Sequence, residues 1–215
     1  MILETPPWCG GGPLLSAPPL LYAPRPGAAS MLAAALSEAG RQAAYEQGIA
    51  ACTAQAAAQC LAGDTAAREV CWRFVEPELL TDPAALEAHL AGVLAPGHAP
   101  RQPHVLHRAE VTERAEYLLH VPRDLAWFDG HFPGAPVLPG VVQVDWAIYH
   151  GRALGFGPDR FRGFPRLKFK AVIRPEAVLR LSLRRRSENR LEFSYASAAA
   201  LHSAGSIEYA NRARS

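Results

Sequence analysis

Long apolar runs are missing from this chain of 215 residues. A helix that crosses a bilayer needs roughly 18 or more consecutive apolar residues, and no stretch approaches that, so no membrane span is expected. Residues 1–12 have neither the basic head nor the apolar core of a secretory signal, which gives a cytoplasmic reading. Cysteine is scarce: Cys9, Cys52, Cys60 and Cys71 all lie in the first third, at spacings that match no zinc or redox motif. Reduced, structural thiols are therefore expected. No pair of histidines has ligand spacing with a carboxylate, so neither a metal nor another cofactor is expected. Lysine is absent from the first hundred residues. What remains is ordinary for a globular protein, with 49% apolar and 20% charged residues.

The net charge of +2 conceals an asymmetry. Residues 1–100 hold 4 basic and 9 acidic side chains, and residues 101–215 hold 18 and 11. A basic surface on the second part, facing something acidic, follows from that split. It is densest between Arg160 and Arg190, where eleven basic residues stand against Glu176 and Glu188. Nucleic acid is not the expected partner, because few aromatics are available there to stack on bases.

Residues 1–27 carry seven prolines and four glycines, so a flexible lead-in without helix or strand is expected. Alanine fills 15 of the 35 positions from 28 to 62, which predicts two helices broken near Gly48. A short strand is expected at 71–75. Thr81-Asp82-Pro83 then caps a helix that buries Leu86, Leu90, Val93 and Leu94. A proline-containing linker at 97–103 separates this mainly helical region, 28–100, from a domain at 103–210. In that domain the period changes. Strands are expected at 104–114, 116–121, 166–173, 178–186, 190–198 and 202–209. An apolar helix is expected from Val141 to about Leu154. One long helix set against antiparallel strands is an α+β arrangement.

The chemistry concentrates between Phe128 and Asp145. Three prolines and three glycines fix an irregular loop around a single ionisable ring, His131. The loop ends at Pro139-Gly140, where the helix begins and its free N–H groups can receive developing negative charge. One turn into the helix stands a lone carboxylate, Asp145, with Val144 and Trp146 beside it. Those apolar neighbours predict a half-buried carboxyl that is protonated at working pH. A base, an anion-binding helix start and a carboxyl group form a catalytic set.

The run His131-Phe132-Pro133-Gly134-Ala135-Pro136-Val137-Leu138-Pro139-Gly140-Val141, with an acid fourteen residues after the histidine, resembles the 3-hydroxyacyl-acyl carrier protein dehydratases of the FabA/FabZ type. Leu167-Lys168-Phe169-Lys170-Ala171-Val172-Ile173-Arg174-Pro175 resembles the strand that follows the helix in the same family. The resemblance covers about half the chain. The wording Gly-Val-Val-Gln-Val-Asp-Trp-Ala-Ile is most similar to the dehydratases of aryl polyene pigment pathways. It implies a hot-dog fold, a long central helix wrapped by an antiparallel sheet.

It further implies that His131 takes the proton alpha to the thioester carbonyl, that Asp145 serves the departing 3-hydroxyl, and that the Gly140 N–H polarises the thioester oxygen. Phe132, Pro133, Gly134, Val141 and Trp146 become substrate-binding candidates. The implied partners are an acyl carrier protein bearing a phosphopantetheine-linked 3-hydroxyacyl chain, with Arg162, Arg166, Lys168 and Lys170 as docking candidates, and a second hot-dog subunit, identical or not. Asp145 stands where many relatives have glutamate, and Pro175-Glu176-Ala177 where they have Pro-Gly-Asp. A hot-dog thioesterase and a non-catalytic dehydratase-like partner are the alternatives. Trp72-Arg73-Phe74-Val75-Glu76 resembles the tail of acyl-activating ligases, but their lysine has no counterpart here. No catalysis is assigned to the first hundred residues; a remnant, a partner-binding arm and a cover over a sheet edge remain open.

Overall fold

The computed structural model describes residues 2–4, 12–23, 31–60, 71–93, 95, 97 and 99–211. The chain divides into two compact units, one of residues 1–100 and 104–107, the other of 101–103 and 108–215. Cys9, the 61–70 stretch and Pro96 lie outside the described residues.

The first unit contains a sheet in the order β1 (Ile2–Glu4), β2 (Leu20–Ala23), β3 (Met31–Ala34) and β4 (Cys71–Phe74). Helices α1 (Glu38–Gln47) and α2 (Ile49–Cys60) connect β3 to its parallel neighbour β4. Two short helices, α3 (Pro77–Leu80) and α4 (Pro83–Val93), follow. The break at Gly48 (φ +90°), the strand at 71–74 and the helical spacing of Leu86, Leu90 and Val93 on α4 agree with the sequence reading, while Leu94 lies outside the described residues. Two expectations fail. Strands β1 and β2 lie inside the 1–27 lead-in, where neither strand nor helix was expected. Met31–Ala34 is a strand rather than the start of a helix. The reason is pairing: β3 is laddered by β2 on one side and β4 on the other, and all four of its residues are buried. Small alanines fit between two neighbours, and the ladder outweighs a helix preference of a few tenths of a kcal/mol per residue, about the size of most propensity differences. Tyr22, Met31, Ala33, Val75, Leu86 and Leu90 close the core of this unit. Helix α1 starts only at Glu38, capped by the Ser37 hydroxyl, which accepts from Gly40 N–H at 3.1 Å.

The second sheet has six strands in the order β5 (His104–Val111), β6 (Arg114–His120), β8 (Val178–Ser187), β9 (Arg190–Ala196), β10 (Leu201–Tyr209) and β7 (Phe161–Phe169). Against it lies α5 (Gly140–His150), followed by a 3₁₀ turn over Gly151–Leu154. This is the expected α+β, hot-dog arrangement. Strand β9 shows how the pattern produces it: Leu191, Phe193 and Tyr195 are buried while Arg190, Glu192 and Ser194 alternate with them on the other face. Leu179, Leu181 and Leu183 of β8 do the same. Each such side chain contributes about 1.5–3 kcal/mol on burial. The sheet sits close to the helix end: a Cβ on Gly151 would lie 2.6 Å from a Leu191 methyl.

Strand β7 begins five residues before its expected start and ends four before its expected end. As an edge strand bonded only to β10, it accommodates Gly163 and Pro165, which a central strand would exclude. Residues 170–173 leave the ladder and serve the neighbouring loop, with Ile173 O accepting from Leu138 N at 2.9 Å.

Candidate active site

The loop between residues 129 and 139 is held by its own backbone. His131 N–H donates to Phe128 O (3.1 Å), Ala135 N–H to Phe132 O (3.1 Å) and Val137 N–H to His131 O (2.7 Å). Gly130 and Gly134 take φ of +74° and +78°, conformations that a side chain would strain. The result presents His131 to solvent, its Nδ1 3.2 Å from Asp129 O, with Phe132 (64% exposed), Pro133 and Gly134 beside it.

Leu138 is buried and pins the end of the loop to Ile173 O. Pro139 then forms the N-cap of α5 without any side-chain cap. The N–H groups of Gly140 and Val141 have no acceptor among the described residues. Two donors without acceptors and the positive end of the helix dipole therefore stand at the end of the histidine loop. Glycine is required at 140: a Cβ there would lie 2.5 Å from Cζ of Phe169, whose half-exposed ring rests on the helix start. Phe169 was not singled out from sequence; only the packing reveals it.

Asp145 departs from the sequence expectation. It is exposed, because α5 turns Val142, Gln143, Val144, Trp146 and Ala147 inward and Val141, Asp145 and Tyr149 outward, four residues apart. Its chain neighbours Val144 and Trp146 lie about 100° away around the helix and do not shield it. Trp146 is fully buried, with its indole N–H donating to Arg101 O at 3.0 Å. It packs the core and is not open to substrate in the single chain. No hydrogen bond joins His131 to Asp145 within the described residues.

A buried polar cluster behind the helix was also missed. Gln143, 3% exposed, accepts from Ser203 Oγ at 2.7 Å, while its backbone carbonyl accepts from Tyr195 OH at 2.9 Å. Burial pushes the Tyr195 phenol well above its usual range, and the Asp145 carboxylate adds to that push. A glutamine inside an apolar helix was the available signal. Among the docking candidates, Arg166, Lys168 and Lys170 line a groove of about 750 Å³, whereas Arg162 does not. No group of three potential metal ligands occurs among the described residues, and no helix there is long and apolar enough to cross a membrane.

Part of the chain is similar to known proteins. Residues 107–206 match the family model described as ApeI-like, ApeI dehydratase. The 3-hydroxyacyl-[acyl-carrier-protein] dehydratase FabZ of Caldicellulosiruptor saccharolyticus is 32% identical over 77 residues, covering 33% of this chain and 55% of that protein. FabZ of Oenococcus oeni is 36% identical over 64 residues, 26% and 46% of the two chains. This chain thus spans about half the length of the curated relatives it matches. Among solved structures, a chain of the dehydratase heterocomplex ApeI:P from Xenorhabdus doucetiae is 30% identical, with 51% of this chain and 99% of that one covered and a TM-score of 0.47. Over residues 107–206, just under half of its length, this chain is similar to the ApeI-like dehydratases and to dehydratases of the FabZ type.

Proposed function

We propose that the protein removes water from a 3-hydroxyacyl thioester carried on an acyl carrier protein, giving the trans-2-enoyl thioester, in fatty-acid or aryl polyene synthesis. One observation carries this reading: His131 stands exposed beside the uncapped start of α5, and the same helix exposes Asp145 between Val141 (75% exposed) and Tyr149 (46% exposed). Apolar residues flanking a carboxylate on an open helix face are what a half-site covered by a second subunit requires.

In the working pair, the imidazole of His131 takes the C2 proton, the C2–C3 double bond forms, and the C3–O bond breaks. Asp145 of the facing subunit donates the proton that turns the leaving hydroxyl into water. The Gly140 and Val141 N–H groups receive the charge that gathers on the thioester oxygen. Neither N–H group has an acceptor among the described residues. Phe132 and Val141, both exposed, form the apolar lips for the acyl chain. The carrier meets the basic residues Arg162, Arg166, Lys168 and Lys170. The partner is a second hot-dog subunit; the Xenorhabdus relative is described as a heterocomplex, which supports an unlike partner as well as a like one.

The test mixes the protein with a 3-hydroxyacyl thioester and follows enoyl absorbance and free thiol together. Enoyl without thiol is the expected result. Thiol release would instead indicate hydrolysis, and neither signal would leave an inert partner subunit. His131→Ala and Asp145→Asn should each lower kcat by about 10²–10⁴, the range of a lost acid–base group.

A further inference from the structure

Residues 170–173 lie between β7 and β8, outside the ladder, yet they carry a carbonyl that fixes the start of α5. Ile173 O accepts from Leu138 N–H at 2.9 Å, and Phe169, just before the segment, rests against Gly140. A segment outside a ladder keeps one shape only if its backbone groups bond elsewhere. Here much of that bonding comes from His202 of β10. His202 O accepts from the N–H groups of Lys170 (2.8 Å) and Ala171 (3.3 Å), and its imidazole Nδ1 lies 3.0 Å from Val172 O.

A bulge in β10 makes this possible. Leu201 opposes Ala196 and Ser203 opposes Tyr195, consecutive residues of β9, so His202 is the extra residue. Leu201 lines the groove on the sheet's other face together with Ser194 and Ala204. Regular alternation would send Ser203 the same way as Leu201. Past the bulge, Ser203 turns instead toward α5, where its hydroxyl meets Gln143, whose Nε2 lies 3.5 Å from Leu138 O. Two successive residues therefore hold Leu138 from two sides, one through segment 170–173 and the other through Gln143.

His202 is 8% exposed, and a buried imidazole costs free energy unless its nitrogens are bonded. A carbonyl oxygen only accepts, so Nδ1 carries the proton in the neutral ring. Nε2 then accepts from the Ser197 hydroxyl at 2.9 Å. Ser197 N–H in turn donates to Ala200 O (2.9 Å), which closes the turn between β9 and β10.

We infer that His202 is a positioning residue for the proposed dehydration. By holding Val172 O it fixes segment 170–173, and through Ile173 and Phe169 it sets where the Gly140 and Val141 N–H groups meet the thioester oxygen. The inference rests on the dehydration reading above and adds to it a residue that acts on the reacting atoms only through that segment.

The experiment compares His202→Leu, His202→Asn and His202→Gln on a short free 3-hydroxyacyl thioester. Asparagine places an amide N–H near the position of Nδ1, and glutamine places one near that of Nε2. A displaced helix start should lower kcat by about 10–100-fold in His202→Leu, with KM nearly unchanged. His202→Asn should recover most of that loss and His202→Gln little of it. Ser197→Ala, which leaves the Val172 bond in place, should cost less than His202→Leu. Amide hydrogen exchange over residues 138–143, measured without substrate, should speed up in His202→Leu and return toward wild type in His202→Asn. The inference is overturned if the Asn and Gln variants lose rate alike, if KM rises while kcat holds, if Ser197→Ala costs as much as His131→Ala, or if exchange over 138–143 does not change. Should His202→Leu fail to fold, the Asn and Gln variants carry both measurements. A wild-type chain that makes no enoyl product counts against the dehydration reading, while exchange still decides whether His202 holds the helix start.

Discussion

At the scale of single residues, the informative side chains are the buried polar ones. His150 is 7% exposed between the rings of Tyr117 (4.3 Å) and Tyr149 (5.1 Å), and its Nε2 has no hydrogen-bond partner among the described residues. Burial pushes its pKa down to about 4, and the nearby Glu110 carboxylate only partly opposes that. Above pH 6.5 the imidazole is neutral in both folded and unfolded chains and carries no penalty. As pH falls from 6.5 towards 4, the unfolded chain takes up a proton that the native one refuses. Stability therefore drops across that window, by up to about 3 kcal/mol at roughly 1.4 kcal/mol per tenfold change in ionisation. His150→Phe should remove most of this slope when urea unfolding is followed from pH 7 to pH 4. An unchanged slope would assign the acid sensitivity to other groups.

The Gln143–Ser203 pair makes a second residue-scale prediction. Ser203→Ala leaves the glutamine oxygen buried without a donor, at a cost of about 1–3 kcal/mol. Replacing both partners together, Gln143→Leu with Ser203→Ala, should cost less than the two single changes summed. Additive losses in denaturant unfolding would mean that the hydrogen bond is energetically idle.

At the scale of elements, α5 and β7 have open surfaces that their sequences alone do not explain. The start of α5 depends on Phe169 of β7 lying where a side chain at 140 would be. Gly140→Ala should therefore destabilise the second unit and cut activity, and adding Phe169→Ala should recover stability by making room. Thermal melts of the single and double variants decide this, and the idea falls if the double variant is no better than Gly140→Ala. Strand β7 ends the sheet and exposes Phe161, Phe164 and Phe169. An edge with three open aromatic rings invites pairing with another chain. Phe164→Glu should shift the protein towards monomer in light scattering and reduce kcat in parallel, because the proposed mechanism brings His131 of one subunit to Asp145 of another.

At the scale of the whole molecule, the charge split dominates. The first hundred residues carry a net −5 (4 minus 9) and the remainder a net +7 (18 minus 11). A carrier that docks through the basic part is held by charges screened over about 8 Å at physiological ionic strength. Raising salt from 50 to 500 mM should therefore raise KM for carrier-linked substrate severalfold and leave KM for a short free thioester nearly constant. A common response of the two substrates would remove the electrostatic account.

Sequence by itself determined most of the second sheet's strands, the helix against it and the likeness to a dehydratase family, because alternation of period two and a Gly/Pro-rich loop are local properties that packing had only to accept. It also marked His131, Gly140 and Asp145, since their spacing is a covalent fact. Tertiary structure alone decided the rest. Met31–Ala34 became a strand because two neighbours laddered it, against the preference of its alanines. Asp145 turned outward and Trp146 inward because adjacent helical positions face about 100° apart. Arg114, Arg184 and Arg166, far apart along the chain, came to share one trough through strand register, which depends on how six strands pair and which no single segment encodes.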